Sequence, residues 1–149
     1  MRLHFEKLAH TAERELARRL RASRPAKLFG FSLEAAEPGR AVLKMRVRPR
    51  HIQVHGVVHG GILAALADTA GALGIYLMVP RGTRLATIEM KINYLEPVED
   101  GTLLAEGRLL RKGSNFAVAE CEIRDSDRRL ISKALMTYSI IRPRRGQRR

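Results

Sequence analysis

Residues 62–80 contain a single charged side chain, Asp68, in a run that is otherwise apolar, small or neutral. A stretch of that length and hydropathy has two homes, a bilayer or the interior of a domain. A carboxylate near its middle and glycines at 71 and 74 oppose a membrane span. The pattern therefore predicts a helix over about 60–79 that is buried nearly all round. The rest of the chain must supply a layer to cover it.

The carboxylate is the anomaly in that helix. An unpaired buried carboxylate costs several kcal/mol in practice. A chain keeps one where it is paired, faces a cavity or performs chemistry, and perturbed acids cluster at functional sites. The structural alternative is that Asp68 sits at a polar subunit seam or bonds a neighbouring backbone group. The second unusual feature is the helix entry, His59-Gly60-Gly61. Glycine is a poor first-turn residue, but it leaves the free N–H groups open to another molecule. Those donors and the positive end of the helix dipole form a site for a developing oxyanion. The plain alternative is a glycine-rich loop with His59 as a cap or a packed residue. Gly60 and Asp68 are eight residues apart, about 12 Å along one helix axis. One helix cannot bring both to a single carbonyl carbon. If both act, two copies packed antiparallel must share the site across a two-fold axis.

The remaining segments read as a covering sheet. Ala41, Leu43, Met45 and Val47 alternate with Lys44, Arg46 and Arg48, which predicts a strand over 41–47. Glu37-Pro38-Gly39 turns the chain from a preceding strand through Phe31 and Leu33. After Arg81-Gly82-Thr83 come four extended segments, the first placing Ile88, Met90, Ile92 and Tyr94 on one face and Thr87, Glu89, Lys91 and Asn93 on the other. The others run over about 102–111, 116–124 and 129–141, separated by short turns. Before the first strand, Phe5, Leu8, Ala12, Leu16 and Leu20 share one face of a helix that Pro25 ends. The expected organisation is an N-terminal amphipathic helix over 1–25, an α+β domain over 26–141 with an antiparallel sheet wrapped on a central helix, and a basic, disordered tail over 142–149.

Composition bounds the function classes. The chain has 149 residues, enough for one domain with its own core. The one cysteine, Cys121, forms no internal disulfide and no multi-cysteine metal site, which suits a reducing cytoplasm. Cys121 alternates with Ala117, Ala119 and Ile123 and reads as a small core residue. His51 and His55 lack metal-ligand spacing, so no metal and no cofactor are expected. The net charge is +13, with Arg142, Arg144, Arg145, Arg148 and Arg149 in the last eight residues. Such an excess attracts polyanions in general. Aromatic content is 5% with no tryptophan, and no basic stripe is interleaved with stacking residues, so nucleic acid is not the expected partner. A membrane partner is not expected either.

One set of motifs is specific. Gln53-Val54-His55-Gly56-Val57-Val58-His59-Gly60-Gly61, then Asp68, then Thr87-Ile88-Glu89-Met90-Lys91-Ile92-Asn93-Tyr94-Leu95-Glu96-Pro97 closely resembles the phenylacetic-acid-degradation-type (PaaI-like) hotdog thioesterases, over about residues 28–141. The resemblance implies a hydrolase of acyl-CoA thioesters that works without a metal, as a dimer or a tetramer of paired dimers. It implies that the N–H of Gly60 polarises the thioester carbonyl, with Gly61 beside it in the substrate-binding turn. The partner's Asp68 would act as general base or nucleophile, Thr87 would help hold water, and His59 would orient the thioester. The family usually has asparagine where this chain has Gln53, a longer and looser amide, which leaves a shifted substrate preference open. The competing reading from another class is an acyl-CoA-sensing hotdog protein that keeps the pocket and does not depend on Asp68.

Overall fold

The computed structural model describes residues 2–143, and side chains at 11 and 13–143. The expected apolar face at Phe5, Leu8 and Ala12, and tail residues Arg144, Arg145, Arg148 and Arg149, lie outside what is described. The element order is α1 (Arg2–Ala22), α2 (Arg24–Phe29), β1 (Phe31–Glu37), β2 (Arg40–Arg46), a 3-10 turn (Pro49–His51), α3 (Gly60–Tyr76), β3 (Arg84–Tyr94), β4 (Thr102–Lys112), β5 (Phe116–Asp125) and β6 (Leu130–Ile141). Six strands form one sheet in the order β1-β2-β4-β5-β6-β3. Every neighbouring pair is antiparallel. The sheet curls around α3, as the patterning predicted.

Local chemistry explains the joints. α1 stops at Ala22, and Pro25 then sits in the first turn of α2, where its missing N–H costs nothing. Ser23 caps α2 by accepting from the Ala26 N–H at 3.3 Å, and Gly30 closes it in the left-handed conformation. The turn between β5 and β6 is organised by Asp125. Its Oδ1 accepts from the Asp127 and Arg129 N–H groups at 3.0 and 2.9 Å, and Oδ2 pairs with Arg129 Nε at 2.7 Å. Those contacts hold the carboxyl below its ordinary range against the desolvation that opposes them.

The core lies between α3 and the concave sheet face. Leu66, Ala67 and Ala70 of α3 meet Leu43, Met45, Leu103, Cys121, Ile123 and Met136, all essentially without solvent exposure. Cys121 is the small core residue the alternation implied, and burial raises its thiol pKa far above the ordinary value. Helix and sheet come unusually close at Gly107 of β4, where a Cβ would lie 2.3 Å from the backbone carbon and oxygen of Ala70. The helix C-terminus is tied down by the Gly39 N–H, which donates to the Gly74 carbonyl at 3.1 Å.

α3 is not enclosed all round, as hydropathy alone had suggested. Gly61, Ala64, Ala65, Asp68, Thr69, Ala72 and Tyr76 recur every three or four residues and remain partly or fully exposed. This stripe is the helix face that the single sheet leaves open. Beside it runs β3, an edge strand with Ile88 and Tyr94 more than half exposed.

Candidate active site

The loop before α3 is fastened on both sides. The His51 imidazole is fully buried and its Nδ1 accepts from the Arg48 N–H at 3.1 Å. Desolvation, reinforced by the Arg50 charge, pushes its pKa down, so it is held neutral. The His51 carbonyl receives the His59 N–H at 2.8 Å, and the Val58 N–H donates to Val98 at 2.7 Å. Gln53 folds back on this loop, its Oε1 accepting from the His55 N–H at 2.8 Å. One lone pair of the amide oxygen is thus used within the loop, and the NH2 has no partner among the described residues.

His59 is the N-cap of α3. Its Nδ1 accepts from the Gly61 N–H at 2.9 Å, which leaves the proton of the neutral ring on the exposed Nε2. The Ile62 and Leu63 N–H groups both donate to the His59 carbonyl, at 2.9 and 3.4 Å. Of the first-turn donors, the Gly60 N–H alone finds no acceptor in the described residues. The cap consumes the neighbouring donors and isolates this one. Tyr94 lies against Gly60: its hydroxyl donates to the Gly60 carbonyl at 2.9 Å, and a Cβ on Gly60 would meet the ring at 3.1 Å. Gln53, Gly60, Leu63 and Tyr94 share a shallow groove of about 370 Å³.

Asp68 stands two turns further on, in a different cleft of about 320 Å³. Thr87 Oγ1 donates to its Oδ1 at 2.7 Å, and Oδ2 has no partner among the described residues. The carboxylate is half-buried and faces the cleft. Thr87 reaches it because β3 carries a bulge between Thr87 and Glu89. Before the bulge the odd residues Leu85 and Thr87 border the helix; beyond it the even residues Met90 and Ile92 pack on the core. An extra residue reverses which face the side chains take. Ile88, grouped by alternation with Met90 and Ile92, is 53% exposed for this reason.

Tyr138 of β6, the cross-strand partner of Thr87, completes the support. Its hydroxyl donates to the backbone carbonyl of Asp68 at 2.8 Å. Desolvation first, and the Asp68 charge second, raise its pKa so that the hydroxyl stays protonated. Gly71 makes room for it: a Cβ there would lie 2.6 Å from the Tyr138 oxygen. Sequence reasoning missed Tyr94 and Tyr138. Both sit on strands with ordinary alternation, and only the register that sets each opposite a glycine of α3 marks them.

The structure therefore gathers the expected residues into two groups, Gln53, His59, Gly60 and Gly61 at the helix start, and Asp68 with Thr87 at its middle. Among the described residues no group of side chains is arranged to hold a metal ion, and no helix is long and apolar enough to cross a membrane.

Known proteins share this fold. Residues 55–132 match the family model of the thioesterase superfamily. A Saccharolobus solfataricus protein named as a candidate esterase is 40% identical over 106 residues, 71% of this chain and 75% of the relative. The medium/long-chain acyl-CoA thioesterase YigI of Salmonella typhimurium is 29% identical over 127 residues, 75% of this chain and 82% of its own. Among solved structures, the E. coli PaaI protein from the phenylacetic acid degradation operon superposes with a TM-score of 0.82 at 25% identity, covering 90% of this chain and 96% of that one. The curled antiparallel sheet on one long helix is the hotdog fold, and the chain belongs to the thioesterase superfamily.

Proposed function

We propose that the chain hydrolyses acyl-CoA thioesters at sites shared by two protomers, each site pairing Asp68 of one with the Gly60 N–H of the other. One observation carries the reading. The free Gly60 donor and the free Asp68 oxygen lie on one straight helix, in separate clefts, about 12 Å apart along its axis. Neither half can act on a carbonyl alone. A second α3 running antiparallel across the open stripe brings each half to its complement. The unpaired outer edge of β3 supports this packing, since an edge strand invites another strand.

The chemistry follows from the groups. The Gly60 N–H, at the positive end of α3, stabilises the charge developing on the thioester oxygen. The Asp68 oxygen not held by Thr87 takes a proton from water as that water attacks the carbonyl carbon. The C–S bond then breaks, giving the free acid and the thiol of coenzyme A. Thr87 fixes the carboxylate rotamer and accepts from the same water. The His59 Nε2–H orients the thioester. The positive surface supports a ligand that carries several phosphates.

Release of free thiol from a panel of aryl- and alkyl-CoA thioesters tests the activity, and binding without turnover in the wild type would favour the sensing alternative. The shared site has a separate test in hybrids. Asp68→Asn and Gly60→Trp chains, each inactive, are unfolded together and refolded in equal amounts. Random pairing makes half of the dimers hybrid, each with one intact site of two, so about one quarter of wild-type activity is expected to return. Inactive mixtures from parents that each still dimerise would place the site within one protomer.

A further inference from the structure

The cleft at Asp68 does not end on the hotdog domain. Its far wall is α1, which contributes Arg19 and Leu20. α1 lies outside the segment that matches the family model, 55–132. From the carboxylate the cleft runs past Ala72 and Leu73 of α3 and Leu85 of β3 to Tyr76, eight residues and about 12 Å along the helix. Ala72, Leu73 and Leu85 offer apolar surface to the carbon chain of an acyl group, beside the polar groups of Thr69, Tyr76 and Tyr138.

At that far end sits a cation. The Arg19 guanidinium lies 4.0 Å over the Tyr76 ring centroid, a geometry that fixes its plane. Its Nε is fully buried and has no hydrogen-bond partner. The nearest carboxylate, Glu15, is 3.3 Å away but outside hydrogen-bonding geometry. Glu15 is engaged by Arg18, whose Nη2 and Nε donate to it at 2.9 and 3.3 Å. It also has Arg81 at 4.0 Å, so three arginines share one carboxylate. The Arg18 hydrogen bonds hold the Glu15 carboxyl below its ordinary range, against desolvation. Arg19 thus stands at the far end of the cleft with only a share of Glu15 as its counter-charge.

We infer that Arg19 is a specificity-determining residue, and that the cleft takes acyl groups whose far end carries a carboxylate. A carboxylate accepts from the terminal guanidinium nitrogens and balances a charge that Glu15 only shares, whereas an alkyl end covers that charge and offers no acceptor. This rests on the reading that Asp68 marks the thioester end of the cleft.

The test compares ω-carboxyacyl-CoAs, from glutaryl to suberyl, with alkyl-CoAs of equal carbon number. Wild type is expected to prefer the best-fitting carboxylated member about ten- to a hundredfold in kcat/KM. Arg19→Leu, which keeps the apolar bulk against Tyr76, brings that ratio to within about twofold without lowering kcat/KM for the alkyl series, and Arg19→Lys retains part of it. Affinity for free coenzyme A is unchanged in both variants. Calorimetry with non-hydrolysable thioether analogues of the same series gives the ratio independently of turnover, so absence of hydrolysis would sink the functional reading and leave this inference decided by affinity. Equal preference in wild type, a preference that survives Arg19→Leu, or weaker binding of free coenzyme A by that variant would each overturn it.

Discussion

Asp68→Asn is expected to lower turnover at least about a hundredfold, within the ~10²–10⁴ range for loss of a general base. The substitution is close to isosteric, and the asparagine Oδ1 can still accept from Thr87 Oγ1, which bonds Asp68 at 2.7 Å in the wild type. Tyr138 donates to the backbone carbonyl of residue 68, and that bond survives as well. The fold and its melting temperature should therefore stay close to wild type. What is lost is the capacity to take a proton at the second oxygen, since an amide NH2 accepts none there. Thioester affinity, measured with a thioether analogue, should change little, so the loss falls on kcat. Turnover equal to wild type would remove Asp68 from the chemistry. Thr87→Val gives a smaller loss, because it frees the carboxylate rotamer and leaves the base in place.

The residues most legible in the sequence were those that break a pattern. Asp68 interrupts an apolar helix, and two glycines open that helix where strong helix formers belong. Each departure costs stability and so points to a use. The strands were legible from period-two alternation, and the six observed strands follow the expected segments to within a few residues. Thr87 carries no such mark. Alternation grouped it with Glu89, Lys91 and Asn93, and only the family resemblance marked it. The bulge beside it reverses the side-chain parity, and no local sequence signal announces a one-residue insertion in a ladder. Burial of α3 nearly all round is also not what the fold gives, for a related reason. Hydropathy reports that a face avoids water, not what covers it, and one curled sheet leaves the Gly61–Ala65–Asp68–Ala72 stripe open. Arg19 was invisible because its spacing on α1 is that of a solvated residue. Its position beside Tyr76 is a fact of tertiary packing alone.

The distance between helix and sheet that makes all this possible is set at Gly107, and Gly107→Ala should be the most damaging single-methyl change in the fold. An added Cβ would lie 2.3 Å from both the carbon and oxygen of Ala70 and 2.6 Å from the Gly71 nitrogen. These are backbone atoms in the middle of a helix, so no rotamer change relieves the clash. At Gly71, by contrast, the obstructing atoms are the ends of the Tyr138 and Met136 side chains. Overpacking commonly costs 1–3 kcal/mol, and a clash with immovable backbone belongs at or above the top of that range, about 3 kcal/mol. For a chain of this size that corresponds to a fall of roughly 6–12 °C in melting temperature. Gly113→Ala is the matched control: its nearest contact is a carbonyl oxygen at 3.4 Å, at the edge of ordinary contact, and no positive φ is involved. It should cost less than about 1 kcal/mol. The two variants also separate function from stability. Ala70 and Gly71 follow Asp68 within one turn, so a helix pushed off the sheet at Gly107 carries the carboxylate away from Thr87, which is fixed on β3. Gly107→Ala should then lose activity at temperatures where it is still folded, while Gly113→Ala keeps it. A melting temperature within a degree of wild type would mean that the helix–sheet spacing is set elsewhere and that the approach at Gly107 is incidental.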